Sequence, residues 1–115
     1  MPTIQNVTFD CSDPPTLAAF WASVLEREVA PGASEFVAII PGAAPGTPNF
    51  LFIRVPEGKT AKNRMHLDLD VADLVAERAR LEALGARFMH DKDEWGVHWN
   101  TFTDPEGNEF CVATH

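Results

Sequence analysis

The chain repeats its own pattern, with residue 6 aligning on residue 66, and this repeat limits the folds that it can adopt. The run Asn6-Val-Thr-Phe-Asp-Cys-Ser-Asp13 corresponds to His66-Leu-Asp-Leu-Asp-Val-Ala-Asp73, and each run continues into a helix-like segment. Few residues are identical, so the evidence is an alternating strand followed by an amphipathic helix, twice at one spacing. The duplication predicts a pseudo-symmetric domain in which corresponding positions, such as Asn6 and His66, face each other.

The composition is that of a globular protein and excludes several classes of partner. With 115 residues, 45% of them hydrophobic, the chain is expected to form one domain, 1–115, with a core of its own. A net charge of −8 without a basic run argues against nucleic acid. The chain has neither an apolar run of about 20 residues nor a signal-like start, so we expect no membrane partner. With only two cysteines, the simplest interpretation is a cytoplasmic protein with reduced thiols.

The first half, about 3–55, reads as one strand, one helix and three further strands. Ser12 or Asp13 is expected to cap the helix, which Pro14 begins and Leu25 ends. Strands are predicted at 3–11, 28–30, 36–40 and 49–55, and the Pro- and Gly-rich segment 41–48 is expected to be a loop. The predicted buried face of the helix consists of apolar residues at helical spacing, namely Leu17, Phe20, Trp21, Val24 and Leu25.

The second half, about 64–114, follows the same order. Asp73 is expected to cap a helix that runs through Leu84 and stops at Gly85. Strands are predicted at 64–71, 87–90, 97–103 and 109–114, with a polar loop at 91–96. The predicted buried stripe of this helix is Leu74, Val75, Leu81 and Leu84. Because neither half alone would cover its sheet, two βαβββ modules are expected to form one domain.

Four short motifs in this order resemble the vicinal oxygen chelate superfamily, which includes glyoxalase I, bleomycin-resistance proteins and extradiol dioxygenases. They are Phe20-Trp21 in the first helix, Arg64-Met-His-Leu-Asp-Leu69, Leu84-Gly-Ala86, and Asp104-Pro-Glu-Gly-Asn-Glu-Phe-Cys-Val112 at the end. They are most similar to the glyoxalase-like branch common in bacterial genomes. The resemblance implies an α+β fold in which the two modules form a cupped, eight-stranded mixed sheet with helices on the outside. It also implies a homodimer.

The resemblance places the superfamily's metal-binding positions at Asn6, Phe52, His66 and Cys111. Phe52 offers no ligand atom and Asn6 offers only a neutral carbonyl, whereas Zn²⁺ takes three or four N, S or O donors. We therefore expect no metal ligand set and no cofactor. The alternative is a divalent ion (Zn, Ni, Mn or Fe) held by His66 and Cys111, together with Asn6 or Glu109.

Strand alternation predicts which side chains line the cup. His66 beside Asp68 is interpreted either as a structural hydrogen-bonded histidine or as a catalytic acid–base pair. Cys111 is interpreted as a small buried side chain, with a Cys–His nucleophile as the less favoured possibility. Arg54 would either clamp a ligand carboxylate or form a surface ion pair. The full set predicted to face the cup is Asn6, Thr8, Phe50, Phe52, Arg54, Arg64, His66, Asp68, Glu109 and Cys111.

Three functions remain open at this stage. The leading hypothesis is metal-independent binding of a small organic molecule in the cup, by sequestration as in the bleomycin-resistance proteins that the chain resembles. The alternative is a lyase, isomerase or dioxygenase that uses a divalent metal or the His66–Asp68 pair. The third is a protein-interaction module that works through the loop carrying Trp95. The terminal His115 is expected to lack fixed structure.

Overall fold

A computed structural model describes residues 1–114, and His115 lies outside the described residues. The chain divides into two compact units, Met1–Gly58 and a second unit that begins at Lys59. Each unit contains one helix and one sheet. The architecture is therefore mixed α+β. None of the helices in residues 1–114 has the length and apolarity that a membrane span requires.

Unit 1 consists of β1 (Asn6–Cys11), α1 (Pro14–Leu25), β2 (Val37–Ile40) and β3 (Asn49–Arg54). Its strands lie in the order β1-β3-β2, with β1 parallel and β2 antiparallel to β3. The helix begins where predicted because the Asp13 carboxylate accepts a hydrogen bond from the Thr16 backbone N–H at 3.2 Å.

The core of unit 1 is an aromatic cluster between α1 and the sheet. The Phe9 ring lies 5.6 Å from Trp21 and 5.1 Å from Phe52, measured between ring centroids. Of the five residues predicted to form the buried helix face, four are buried and Leu25 is half-buried. The 3.6-residue periodicity therefore identified the packed face of α1 correctly.

Unit 2 consists of β4 (Asp68–Asp70), α2 (Leu74–Leu84), β5 (Arg87–Glu94), β6 (Val97–Thr103) and β7 (Glu109–Ala113). Its strands lie in the order β4-β7-β6-β5, and β4 is parallel to β7 while the other pairs are antiparallel. In both units the strand before the helix pairs in parallel with the last strand of that unit. The repeat seen in the sequence is thus also a repeat of topology.

The second helix buries less of its surface than predicted. Asp73 caps it by accepting hydrogen bonds from the Val75 and Ala76 amides, and Gly85 ends it at φ +110°. Leu81 is fully buried, but Val75 is 83% exposed and Leu84 is also exposed, so their assignment to a buried stripe is wrong. The apolar pattern of this helix is too sparse to define its packed face without the sheet beside it.

Two strand predictions and one loop prediction also need correction. Residues 28–30 form no strand, because Pro31 has no N–H to donate and this segment keeps a single bond, from Ala30 N to Ile39 O. Residues 1–114 therefore contain seven strands rather than eight, in sheets of three and four. The strand predicted at 64–71 is restricted to β4, and the loop predicted at 91–96 is mostly strand.

The Asp104-Pro-Glu-Gly-Asn turn has a clear structural role. The buried Asp104 carboxylate accepts hydrogen bonds from the backbone N–H groups of Glu106 at 2.9 Å and Asn108 at 3.0 Å. Gly107 has φ +88°, which a residue with a side chain rarely adopts. This motif therefore holds β6 and β7 in an antiparallel pair and has no need of a catalytic explanation.

Candidate functional site

The sheet of unit 2 has one packed face and one open face. Phe102 and Phe110 stack at 5.7 Å on the packed face and are fully buried. Because side chains alternate along a strand, their neighbours point to the other side. The strand register then aligns one side chain from each strand across the open face, in the order Asp68, Cys111, Thr101 and His90.

The open face forms a depression of about 680 Å³, which we call the open-face depression. Its apolar wall includes Trp95, Val97 and Trp99, which come from the β5–β6 hairpin. Its size falls within the range of pockets that bind small molecules. Its lining, all of it from unit 2, is completed by Lys62, His66, Asp68, Met89, His90, Lys92, Glu94, Thr101, Glu109, Cys111 and Ala113.

A histidine, a carboxylate and a thiol meet in this depression. Nδ1 of His66 lies 2.8 Å from Oδ1 of Asp68. The nitrogen of His66, the oxygen of Asp68 and Sγ of Cys111 lie within 4.8 Å of one another, and Sγ is also 3.4 Å from the Thr101 hydroxyl oxygen. An ionised carboxylate can only accept, so His66 Nδ1–H is the donor when Asp68 is ionised. In that tautomer Nε2 of a neutral ring carries the lone pair.

Glu109 lines the same depression but is held by its own partners. Its carboxylate lies 2.8 Å from Lys59 Nζ and accepts hydrogen bonds from the Asn63 backbone N–H at 3.2 and 3.3 Å. Burial by itself would raise the pKa of Glu109, but the hydrogen bonds from Lys59 and Asn63 outweigh it and the pKa lies below the ordinary value. Glu109 is therefore an ionised anchor for the segment before β4 and is not a free acid or base.

Two tryptophans stack on the β5–β6 hairpin. The Trp95 and Trp99 rings are 5.9 Å apart and nearly parallel, at 9°. Trp95 and Gly96 both have positive φ, +52° and +75°, as a two-residue type I′ turn requires. Trp95 is 87% exposed at a position where Asn or Gly is the usual residue. Burial and backbone preference therefore do not account for a tryptophan at this position, and its recorded side-chain contact is the stack on Trp99.

The residues predicted to line the cup from the first half lie in unit 1, and β3 is oriented differently from the prediction. The parallel register pairs Phe52 with Phe9, so Phe50 and Phe52 share the helix-facing side and not the side of Thr8. Phe52 is 0% exposed within the aromatic core. The alternation within β3 was recognised, but which side faces the helix depends on pairing with β1.

The polar residues of unit 1 that were predicted to face the cup do not line the open-face depression. Asn6 and Arg54 have partners within unit 1. The Asn6 side-chain oxygen accepts a hydrogen bond from Asn49 Nδ2 at 3.2 Å. Arg54 lies 3.8 Å from Glu35 and over the Phe36 ring, which favours the surface ion pair that was the second interpretation of Arg54.

Two further predictions are modified in unit 2. Arg64 is exposed and does not line the open-face depression, whereas His66, Asp68, Glu109 and Cys111 do. Thr101, Trp99 and His90 were missed as lining residues. The alternation of β6, with Phe102 in the core, identifies Thr101 and Trp99, but His90 depends on a bulge in β5 that local periodicity does not show.

The donors present do not fit the metal that the superfamily uses. Of the four implied positions, Phe52 is a core side chain and Asn6 is hydrogen-bonded to a neighbouring strand. His66, Asp68 and Cys111 are near enough to share an ion. Asp68 already accepts the hydrogen bond from the His66 ring through Oδ1, and Phe52 and Asn6 add no ligand to this cluster. Two of the four positions that the superfamily uses for its metal therefore supply no ligand here, and the superfamily's ligand set is incomplete.

Comparison with known proteins identifies the family to which the chain belongs. The model of the glyoxalase-like domain family matches residues 6–113. The chain therefore belongs to the glyoxalase-like domain family, within the vicinal oxygen chelate superfamily. No curated protein matches the chain significantly.

Solved structures with low sequence identity show the same fold. A glyoxalase/bleomycin resistance protein/dioxygenase family enzyme from Burkholderia phytofirmans PsJN has a TM-score of 0.79 at 16% identity, covering 98% of each chain. A possible glyoxalase from Bacillus cereus has a TM-score of 0.71 at 13% identity, covering 98% of this chain and 99% of its own. A lactoylglutathione lyase from Agrobacterium tumefaciens has a TM-score of 0.67 at 17% identity, covering 99% and 94%.

Proposed function

We propose that this protein binds a small planar organic molecule in the open-face depression, without a resident metal ion. The observation that carries the proposal is the stacked Trp95–Trp99 pair, which forms an aromatic wall beside the polar row of Asp68 and Thr101. A concave, largely apolar surface with a few converging polar groups is typical of small-molecule sites. This function matches the bleomycin-resistance side of the family and needs no metal.

The backbone of Trp95 supports a role in binding. A non-glycine residue at positive φ costs about 1–2 kcal/mol, and such residues persist where the surroundings or a function require them. The exposed Trp95 ring can stack on a planar ligand, because offset stacking is a favoured contact between π systems. His66, His90 and Thr101 would then supply hydrogen bonds at the edge of the ligand.

A thermal-shift screen with planar aromatic and carboxylate compounds tests this proposal. We expect at least one compound to raise the melting temperature of the wild-type protein and to lose most of this effect with Trp95→Ala. Phe36→Ala is the matched control, because Phe36 is an exposed aromatic residue of unit 1. If no compound stabilises the protein, or if every hit stabilises Trp95→Ala equally well, the proposal is wrong.

A second candidate function rests on the 2.8 Å bond between His66 and Asp68. A carboxylate that orients an imidazole is the arrangement used in general acid–base catalysis, so a lyase or isomerase activity on the bound molecule is the alternative. Turnover of a screening hit that His66→Gln abolishes, with binding retained, would establish it. The homodimer implied by the family stays a prediction, which analytical ultracentrifugation can test.

A further inference from the structure

We propose that Cys111 is a nucleophile, activated by His66 and Asp68, that forms a covalent bond to an α,β-unsaturated carbonyl compound. This inference deepens the proposed function, on which it rests for the natural ligand, because the electrophile would occupy the same depression. The three residues meet although Cys111 is far from the other two in sequence, since β4 and β7 pair with Asp68 opposite Cys111.

The arrangement contains the three parts of an activated nucleophile. Asp68 fixes the His66 ring through Nδ1, and the Nε2 lone pair is left to accept a proton. Sγ of Cys111 lies within 4.8 Å of a ring nitrogen of His66 and of a carboxylate oxygen of Asp68. Contacts between a nucleophile and its base are often long in the absence of substrate and shorten when substrate binds.

The surroundings of Cys111 allow a reagent to reach the sulfur. Cys111 is half-buried and lines the open-face depression, and the Thr101 hydroxyl lies 3.4 Å from Sγ. Cys11, the other cysteine of the chain, is 3% exposed and its thiol contacts the Ile53 carbonyl oxygen at 3.6 Å. Buried thiols are inert, so the chain contains its own unreactive reference.

The depression favours a conjugated carbonyl compound as the electrophile. Such compounds are planar and fit against the aromatic wall of Trp95 and Trp99. In the step, the Cys111 sulfur forms a bond to the β-carbon while the π bond of the C=C opens, and the thiol proton passes to His66 Nε2. The α-carbon then takes up a proton from His66 or water. The step has no leaving group and no change of redox state in a co-reactant.

The test is the second-order rate of N-ethylmaleimide addition to the full chain, followed by intact mass with peptide mapping and with chelator present. N-acetylcysteine under the same conditions is the reference. We expect one adduct, on Cys111, formed at least about tenfold faster than on the reference. Positioned acid–base groups accelerate reactions about 100-fold or more, and the half-buried position of this thiol reduces that acceleration. Cys11 should stay unmodified.

The variants separate proton transfer from simple exposure. His66→Ala should lower the Cys111 rate to that of the reference, and added imidazole should restore it. Asp68→Asn should lower the rate, and Asp68→Glu should recover part of it. His98→Ala is the matched control, because His98 is also hydrogen-bonded to an aspartate, Asp91, but does not line the depression.

The outcomes are distinguishable from those of the binding proposal. A Cys111 rate no higher than the reference, or one that His66→Ala leaves unchanged, overturns the nucleophile, while the thermal-shift screen still decides ligand binding. Modification of Cys11 reports unfolding of a variant. If Cys11 is modified in His66→Ala, that variant is unfolded. The Cys111 rates of Asp68→Asn and Asp68→Glu then decide whether the proposal holds.

Discussion

Asp68 lies directly opposite Cys111 on the paired strands β4 and β7, and the same aspartate binds the His66 ring through a 2.8 Å hydrogen bond. Asp68 therefore lies beside both the imidazole ring of His66 and the thiol on the neighbouring strand. Cys111 is one of the four positions at which the superfamily implies a metal ligand.

The first prediction concerns metal content. Because Phe52 and Asn6 supply no ligand at two of the four implied positions, we expect well below one equivalent of zinc per chain after loading with Zn²⁺ and dialysis. Wild type and His66→Ala should not differ. Elemental mass spectrometry on tag-free protein measures this. About one equivalent in the wild type, lost in His66→Ala, would contradict this prediction and support the metal-dependent alternative.

The second prediction concerns the hairpin. Trp95→Asn and Trp95→Ala both remove the stack on Trp99, but asparagine tolerates positive φ better than alanine. We expect the free energy of unfolding of Trp95→Asn to be about 1 kcal/mol higher than that of Trp95→Ala, as measured by urea denaturation. Equal stabilities would mean that the turn relaxes once the tryptophan is gone.

The third prediction concerns pH and Glu109. Its pKa in the folded protein is below the ordinary value of 4.5, so the ionised carboxylate stabilises the fold above about that pH. The stabilisation is lost as the pH falls through the lower folded-state pKa. Glu109→Gln should therefore lower the free energy of unfolding by about 1 kcal/mol at neutral pH and by much less near pH 3.

Lys59→Met is the companion variant for this test, because Lys59 donates to the same carboxylate. It should reproduce the effect at neutral pH and, combined with Glu109→Gln, should add little to it. If the losses in free energy of unfolding of the two single variants add up in the double variant, the pairing of Lys59 with Glu109 is contradicted.

The fourth prediction compares two apolar residues of α2. Leu81→Ala should reduce the free energy of unfolding by about 2–5 kcal/mol, because the side chain is fully buried. Val75→Ala, on the same helix but largely exposed, should change it by less than about 0.5 kcal/mol. Denaturant unfolding of both variants measures the contrast, and similar losses would mean that Val75 is covered in solution.

Local sequence patterns predicted the helices with good accuracy. Asp13 and Asp73 cap α1 and α2, Gly85 ends α2, and the aromatic face of α1 is buried. These features depend on residues within one or two helical turns, so they are visible in the chain itself. The sparse apolar pattern of α2 shows the limit, since Val75 has helical spacing but lies outside the core.

Several site residues could not be placed from local patterns. Alternation showed that Phe50 and Phe52 share one side of β3, yet only the register with β1 decides that this side faces Trp21. In the same way, the polar segment 91–96 gives no sign that β5 continues to Glu94 and turns at Trp95. Pairing with β6 supplies the hydrogen bonds that make it a strand.

The amino-acid sequence by itself determined the repeat, the helix caps, the Asp104 turn and the membership of the family, because each depends on neighbouring residues or on motif order. The tertiary structure decided that Asp68, Cys111 and Thr101 form one row on an open face with a tryptophan wall beside it. The physical reason is that strand register is set by hydrogen bonds between distant segments, and a shift of one residue would turn every side chain to the opposite face.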